Sequence, residues 1–235
     1  MATEAKSVKG KVDGGWVALL GALVTTFLYL YYNDGSAVYT LGWLSGFKKG
    51  NFYRVWEEYL LVSAVVLLWV PMLYITVFTK HELGEYGFAR GNVKQGWAWA
   101  GIMFAAMIIP LIFASRRPEF QSYYPLQKQA LTNIRYLIYF ELTYGFYLFC
   151  WEFFFRGFLT FGLYRWIGNW GILAQACAFT VLHLGKPPLE VAGSFIAAII
   201  LGCIALRAKS FLPAFWAHWG VALTLDLLIV FGRHH

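Results

Sequence analysis

Long apolar runs follow one another along the chain, broken by short polar stretches rich in Gly, Pro, Lys and Arg. Runs near residues 15–32, 59–79, 96–115, 133–163, 168–184, 190–207 and 211–231 have about the 20-residue length that a bilayer crossing requires. The pattern predicts an all-α, polytopic transmembrane helix bundle with about seven spanning segments. Val38 to Phe47 is too short to cross and is expected to lie at the interface or to re-enter. Leu83 to Gly96 and Ser115 to Lys128 read as surface connectors, with glycines or prolines at turn positions. Trp97 and Trp99, just after the first of these, suit interfacial depth. The connectors divide a front part, 1–132, from a back part of four helices, and all the buried ionisable groups are expected in the back part. The whole chain, 1–235, is read as one membrane domain.

Composition supports the pattern, since 60% hydrophobic and only 13% charged residues cannot furnish a water-facing surface. The excess of 19 basic over 12 acidic residues is scattered over termini and loops, which argues against a nucleic-acid partner and leaves the orientation in the membrane open. Cys150, Cys177 and Cys203 lie inside apolar segments without CxxC spacing and read as small packing residues. The first apolar run, Gly15 to Tyr32, follows a basic leader and has no small-residue cleavage site, so it is read as a retained helix.

The chemistry lies where ionisable groups interrupt hydrocarbon, because each costs several kcal/mol unless it meets a partner or a water-filled cavity. Glu141, Leu148, Glu152 and Arg156 follow at steps of 7, 4 and 4 and share one helix face, which must point inward. Glu152 stands one turn before Arg156, the favoured order for an ion pair, so a purely structural pair is one reading. His183 precedes Leu-Gly-Lys-Pro-Pro, which ends its helix, and it either bonds a local carbonyl or serves a site. Glu190 then opens the next helix, where a carboxylate suits the positive end of the macrodipole and reads first as a cap. His218 lies early in the last helix, either beside Trp216 and Trp219 at the interface or facing inward. Asp226, eight residues on, shares roughly its face. Ser194, Ala198 and Gly202 form a small-residue stripe that allows a close helix contact and would draw the helices of the two histidines together.

The segments Trp151-Glu152-Phe-Phe-Phe-Arg156-Gly157, Phe179-Thr-Val-Leu-His183 and His218-Trp-Gly-Val-Ala222 together resemble the CPBP family of intramembrane endopeptidases, the CAAX-prenyl-protease and bacteriocin-processing (Abi) group. The resemblance covers about residues 133–231. It departs at Trp151, where the family has the first Glu of a pair, and at Ala222, where it has Asn or a similar polar residue. The likeness implies a multi-pass protein of a bacterial inner membrane that hydrolyses a membrane-embedded or lipidated protein substrate. It implies metal-free catalysis by Glu152, His183, His218 and Arg156, with Glu190 and Asp226 as possible supporting groups. Glu152 with His183 would polarise water, His218 would stabilise the tetrahedral intermediate and Arg156 would orient Glu152. One Glu and two His would also suit zinc, so a zinc cofactor stays open beside the expectation of none. A non-catalytic scaffold, immunity or peptide-binding protein of the same fold is the competing class, and a proton-coupled transporter is a third.

Overall fold

A computed structural model describes residues 2–34 and 52–232, and every element in it is helical or a turn. The short run expected at the interface, Val38 to Phe47, lies outside these residues. Eight helices follow in order: α1 (Ala2–Asp34), α2 (52–78), α3 (Val93–Ser115), α4 (Pro118–Tyr123), α5 (Ile134–Ile167), α6 (Asn169–Val181), α7 (Pro188–Ala208) and α8 (Leu212–Gly232).

Six of them are long and apolar enough to span a bilayer, α4 and α6 being the exceptions. The expected count of about seven is thereby corrected to about six, counted among the described residues. The run 168–184 forms α6, whose 13 residues reach about 20 Å, short of a hydrocarbon core of about 30 Å. Composition let that segment pass as a span, but Gly168 and the Gly185-Lys-Pro-Pro turn clip it at both ends.

Helix α5 is the axis of the bundle. Its span is 78% buried, against 17–39% for the other five, so their outer faces are left to lipid. The front part packs directly on the back part: α1 lies against the Thr160–Ile167 end of α5, α2 against its first half, and α3 against α7 and α8. Glu58, on α2, is buried and accepts a hydrogen bond from the Tyr31 hydroxyl at 3.1 Å. Buried ionisable groups are therefore not confined to the back part. Cys150 is buried as a packing residue, whereas Cys177 is exposed and packs nothing.

From Phe153 to Leu159, α5 widens into a π-helix, and the Thr160 hydroxyl bonds the carbonyl of Phe155, five residues back, at 2.7 Å. A π turn re-phases the helix, and such turns concentrate at functional sites. Gly157 lets the 83–86 turn approach this segment closely: a Cβ there would stand 2.9 Å from the Tyr86 carbonyl. The same loop is tied to the α7–α8 turn through the Phe211 amide, which donates to the Gly87 carbonyl at 3.2 Å.

Candidate active site

Glu152 closes the regular part of α5 and is fully buried. Its Oε1 accepts a hydrogen bond from His218 Nδ1 on α8 at 2.7 Å. On its other side the Arg156 Nε stands 3.3 Å from Oε2, an ion pair by distance although the N–H does not point along a hydrogen bond. The expected i,i+4 pair therefore exists, and His218 joins it instead of resting among interfacial tryptophans.

Arg156 is also fully buried, and α6 holds it from two sides. Its Nη1 donates to Gln175 Oε1 at 3.3 Å, and its guanidinium lies 4.1 Å from the centre of the Phe179 ring. A desolvated cation over an aromatic face gains about 2 kcal/mol, part of what removal from water costs. Gln175 is itself clamped, its Nε2 donating to the carbonyls of Ile172 and Ala198 at 3.1 and 2.9 Å. Ala198 belongs to the small-residue stripe on α7, so the stripe brings α7 close enough for its backbone to fix the glutamine that holds the arginine.

His183 stands just beyond α6. Its Nδ1 lies 2.9 Å from the Phe179 carbonyl, and a carbonyl can only accept, so Nδ1 carries the proton and Nε2 keeps its lone pair. Burial, with Lys186 nearby, holds this imidazole well below its ordinary value, and it is neutral at pH 7. The Phe179 ring joins the parts: its centroid lies 4.4 Å from that of His183 and 6.0 Å from that of His218.

Two cavities meet at this ring cluster. A polar chamber of about 290 Å³ opens between Trp56, Tyr147, Trp151, His183, Lys186 and His218. A larger, predominantly apolar groove of about 880 Å³ runs between α3, α7 and α8. Tyr144, His183, Lys186 and His218 line both. Glu152 lines neither and stands one layer behind His218. Trp151, in the position of the family's first carboxylate, forms chamber wall, and Ala222 lines the groove.

Glu190 opens α7 as expected, but it also bonds across the bundle: Tyr124 Oη donates to its Oε1 at 2.6 Å and Lys186 Nζ at 2.8 Å. Asp226 makes no hydrogen bond to these groups and faces Glu141 between α5 and α8, nearer the N-terminal end of α5 than Glu152. Neither carboxyl has any other hydrogen-bond partner among the described residues. No three His, Cys, Asp or Glu side chains among those residues are grouped as a metal centre needs.

Residues 132–224 match the Rce1-like family, described as type II CAAX prenyl endopeptidase Rce1-like. This match supports membership in the CPBP family. It takes in all three motifs and stops short of Asp226. With six apolar helices, the family supports an integral, multi-pass membrane protein with a CAAX-type intramembrane protease role. No curated protein and no solved structure matches the chain.

Gln175, Phe179, Tyr124 and Lys186 had no assigned role in the sequence. Phe179 was visible only as the start of a motif, and Lys186 as part of a helix-breaking turn. Gln175, a lone amide in an apolar run, carried the same signal that drew attention to the histidines.

Proposed function

We propose that this protein is an endopeptidase of a bacterial inner membrane that hydrolyses a peptide bond in a membrane-associated or lipidated protein. One observation carries the reading: a fully buried carboxylate, Glu152, bonds the Nδ1 of a histidine whose ring reaches a polar chamber shared with a second, neutral histidine.

The hydrogen bond to Glu152 places the His218 proton on Nδ1 and leaves Nε2 as an acceptor toward the chamber. His183 offers a second acceptor. A water donating to both imidazoles presents its oxygen lone pairs to an incoming carbonyl. As that oxygen bonds the carbonyl carbon, its proton passes to His218 Nε2, and the imidazolium so formed is stabilised by Glu152 behind it. The proton then moves to the peptide nitrogen, the C–N bond breaks, and an acid and an amine leave. His183 positions the water; without a carboxylate partner, and beside Lys186, it is the poorer of the two bases. Arg156 orients Glu152 and is held in turn by Gln175 and Phe179. The sequence had paired Glu152 with His183; the hydrogen bond favours His218 as its partner. The chamber suits the peptide and the groove suits the hydrophobic portion of the substrate.

The reading invokes no metal, and elemental analysis of purified protein is expected to find less than stoichiometric zinc. About one metal per chain, lost on replacing His183 or His218, would favour a metallohydrolase instead.

A non-catalytic scaffold remains the second reading because Trp151 and Ala222 stand where the family has a carboxylate and a polar group. The double variant Glu152→Leu with Arg156→Met separates the two, since it replaces a buried ion pair with apolar groups of similar volume. It is expected to fold and to be inactive. Full complementation of a deletion strain by this variant would remove hydrolysis from the account.

A further inference from the structure

Hydrolysis creates a negative charge that neither histidine can meet. When the water oxygen bonds the carbonyl carbon, the carbonyl electron pair moves onto its own oxygen, and an efficient site faces that oxyanion with donors already in place. His183 commits its one N–H to the Phe179 carbonyl and presents a lone pair, while the proton that His218 takes up is bound for the leaving nitrogen. Ala222, one turn beyond His218, has no donor, and the Trp56 indole donates to Thr143 Oγ1 at 2.8 Å. Lys186 is the one cation among the described residues that line the chamber.

The backbone sets the place of this lysine. Its amide donates to the His183 carbonyl at 3.1 Å, Gly185 turns the chain at φ 92°, and Pro187 and Pro188 follow, so the ammonium and the imidazole that positions the water leave one tight turn. Two of its three N–H donors are engaged, one by Glu190 Oε1 at 2.8 Å and one by the Tyr124 hydroxyl oxygen at 3.2 Å. These acceptors hold the side chain, 19% exposed, at the border of chamber and groove. The tetrahedral nitrogen keeps a third N–H, directed away from both. Nothing has to be released for it to donate, so Glu190 keeps its counterion.

We propose that Lys186 is a catalytic residue whose third N–H donates to the oxyanion of the tetrahedral intermediate, an inference that rests on the endopeptidase reading. The ammonium stays protonated throughout. Its hydrogen bond strengthens as charge develops on the carbonyl oxygen, and it relaxes when that oxygen's electron pair re-forms the C=O bond and the C–N bond breaks. Because the oxygen carries this charge only on the way through the intermediate, the lysine contributes to rate and little to substrate binding.

The test uses full-length protein in detergent and a fluorescent prenylated CAAX-type peptide, with kcat and KM taken from initial rates. A second probe carries an anionic, tetrahedral phosphinate at the bond that wild type cuts, and its binding is read by anisotropy. Lys186→Met is expected to lower kcat by roughly 10²- to 10³-fold, the worth of one oxyanion donor, with KM within about threefold of wild type. It should bind the phosphinate at least ~10-fold more weakly than wild type does, while binding the peptide equally well. Lys186→Arg, which keeps the charge, should recover most of the rate. Lys186→Gln keeps a donor for Glu190 and loses the charge, so it covers the case in which methionine unsettles the turn, and its kcat should fall roughly 10-fold. A loss confined to KM, the mark of a contact made equally in the ground state, overturns the proposal, as does kcat within about threefold of wild type in both Lys186→Met and Lys186→Gln. Wild type that cleaves no peptide sinks the endopeptidase reading and the proposal with it, whereas cleavage by wild type with kcat unchanged in the variants sinks the proposal alone.

Discussion

Helices α5 and α8 meet at two polar levels of opposite character. At one, Glu152 is flanked by the Arg156 guanidinium and the His218 imidazole, beside a chamber. At the other, about 16 Å away along α5, Glu141 faces Asp226 with no further hydrogen-bond partner among the described residues and without lining either cavity. Both levels bury carboxyl groups, yet only the first sets a carboxylate between a guanidinium and an imidazole and gives one of its members access to a reacting group. Two carboxylates cannot donate to each other, so the contact between Glu141 and Asp226 is a hydrogen bond only with a proton between them. Burial of an acid is thus not the mark of a site; an acid held charged behind an imidazole that faces open space is.

The largest effect that tests this contrast is on rate. Glu152→Gln is expected to lower cleavage of a membrane-associated peptide by about 10²- to 10⁴-fold, the usual worth of a general base, and Glu141→Gln by less than about twofold. His183→Ala should fall near Glu152→Gln, having lost the group that positions the water. Comparable losses from Glu141→Gln and Glu152→Gln, in folded protein, would mean that the two levels act as one relay.

Stability supplies the next test. Arg156→Ala leaves Glu152 with a single partner and opens a hole beneath Phe179, and it is expected to cost about 3–5 kcal/mol in detergent unfolding, as removal of one member of a buried pair does. The ion pair alone does not decide between structural and catalytic readings, since both require it. Gln175→Leu isolates the orienting role: it removes the acceptor of Arg156 Nη1, and a fall in kcat greater than the rise in KM is expected, because the arginine would be less well aimed while the cavities stay intact.

Acid should act through His183. Burial lowers its affinity for protons in the folded protein, so as pH drops below the ordinary histidine value of 6.5 the unfolded chain takes up a proton that the folded chain refuses. Stability is therefore expected to decline from about pH 6.5 downward, and His183→Gln should flatten that decline in melting temperature measured between pH 7.5 and 5. An unchanged profile would show that another group titrates there.

These two levels differed little in the sequence. Glu141, Glu152 and Arg156 could be placed on one inward face because helical spacing is local information, and the i,i+4 pair followed from the same arithmetic. What local spacing does not contain is which residue of α8 or α6 arrives opposite: the His218 bond to Glu152 spans 66 positions and the Arg156 bond to Gln175 spans 19. The π turn after Glu152 also packs on a distant element, with the Tyr86 carbonyl close against Gly157. Helix α6 misled for a related reason, since one of its faces packs into the site while Trp170, Leu173 and Val181 stay exposed, and hydropathy alone does not tell such a short helix from a span. Lys186 was hidden differently: in a helix-breaking turn a lysine looks like loop, and only the folded chain shows that the whole turn from Leu182 to Lys186 is a wall of the chamber.

The smallest expected effect belongs to the level of Glu141 and Asp226. If Glu141 and Asp226 hold one proton between them, Asp226→Asn supplies a permanent donor in place of that proton and removes the like-charge neighbour of Glu141. Its melting temperature should match or slightly exceed that of wild type, within about 1 kcal/mol, while Asp226→Leu should be less stable because Glu141 is left without an acceptor or donor. The two substitutions bury similar side chains and differ in hydrogen bonding, so their order reports on the proton directly. Asp226→Asn falling well below Asp226→Leu would mean that the pair is charged, with a cation held against it. That level would then be a second ionic site and the contrast between the two levels would collapse.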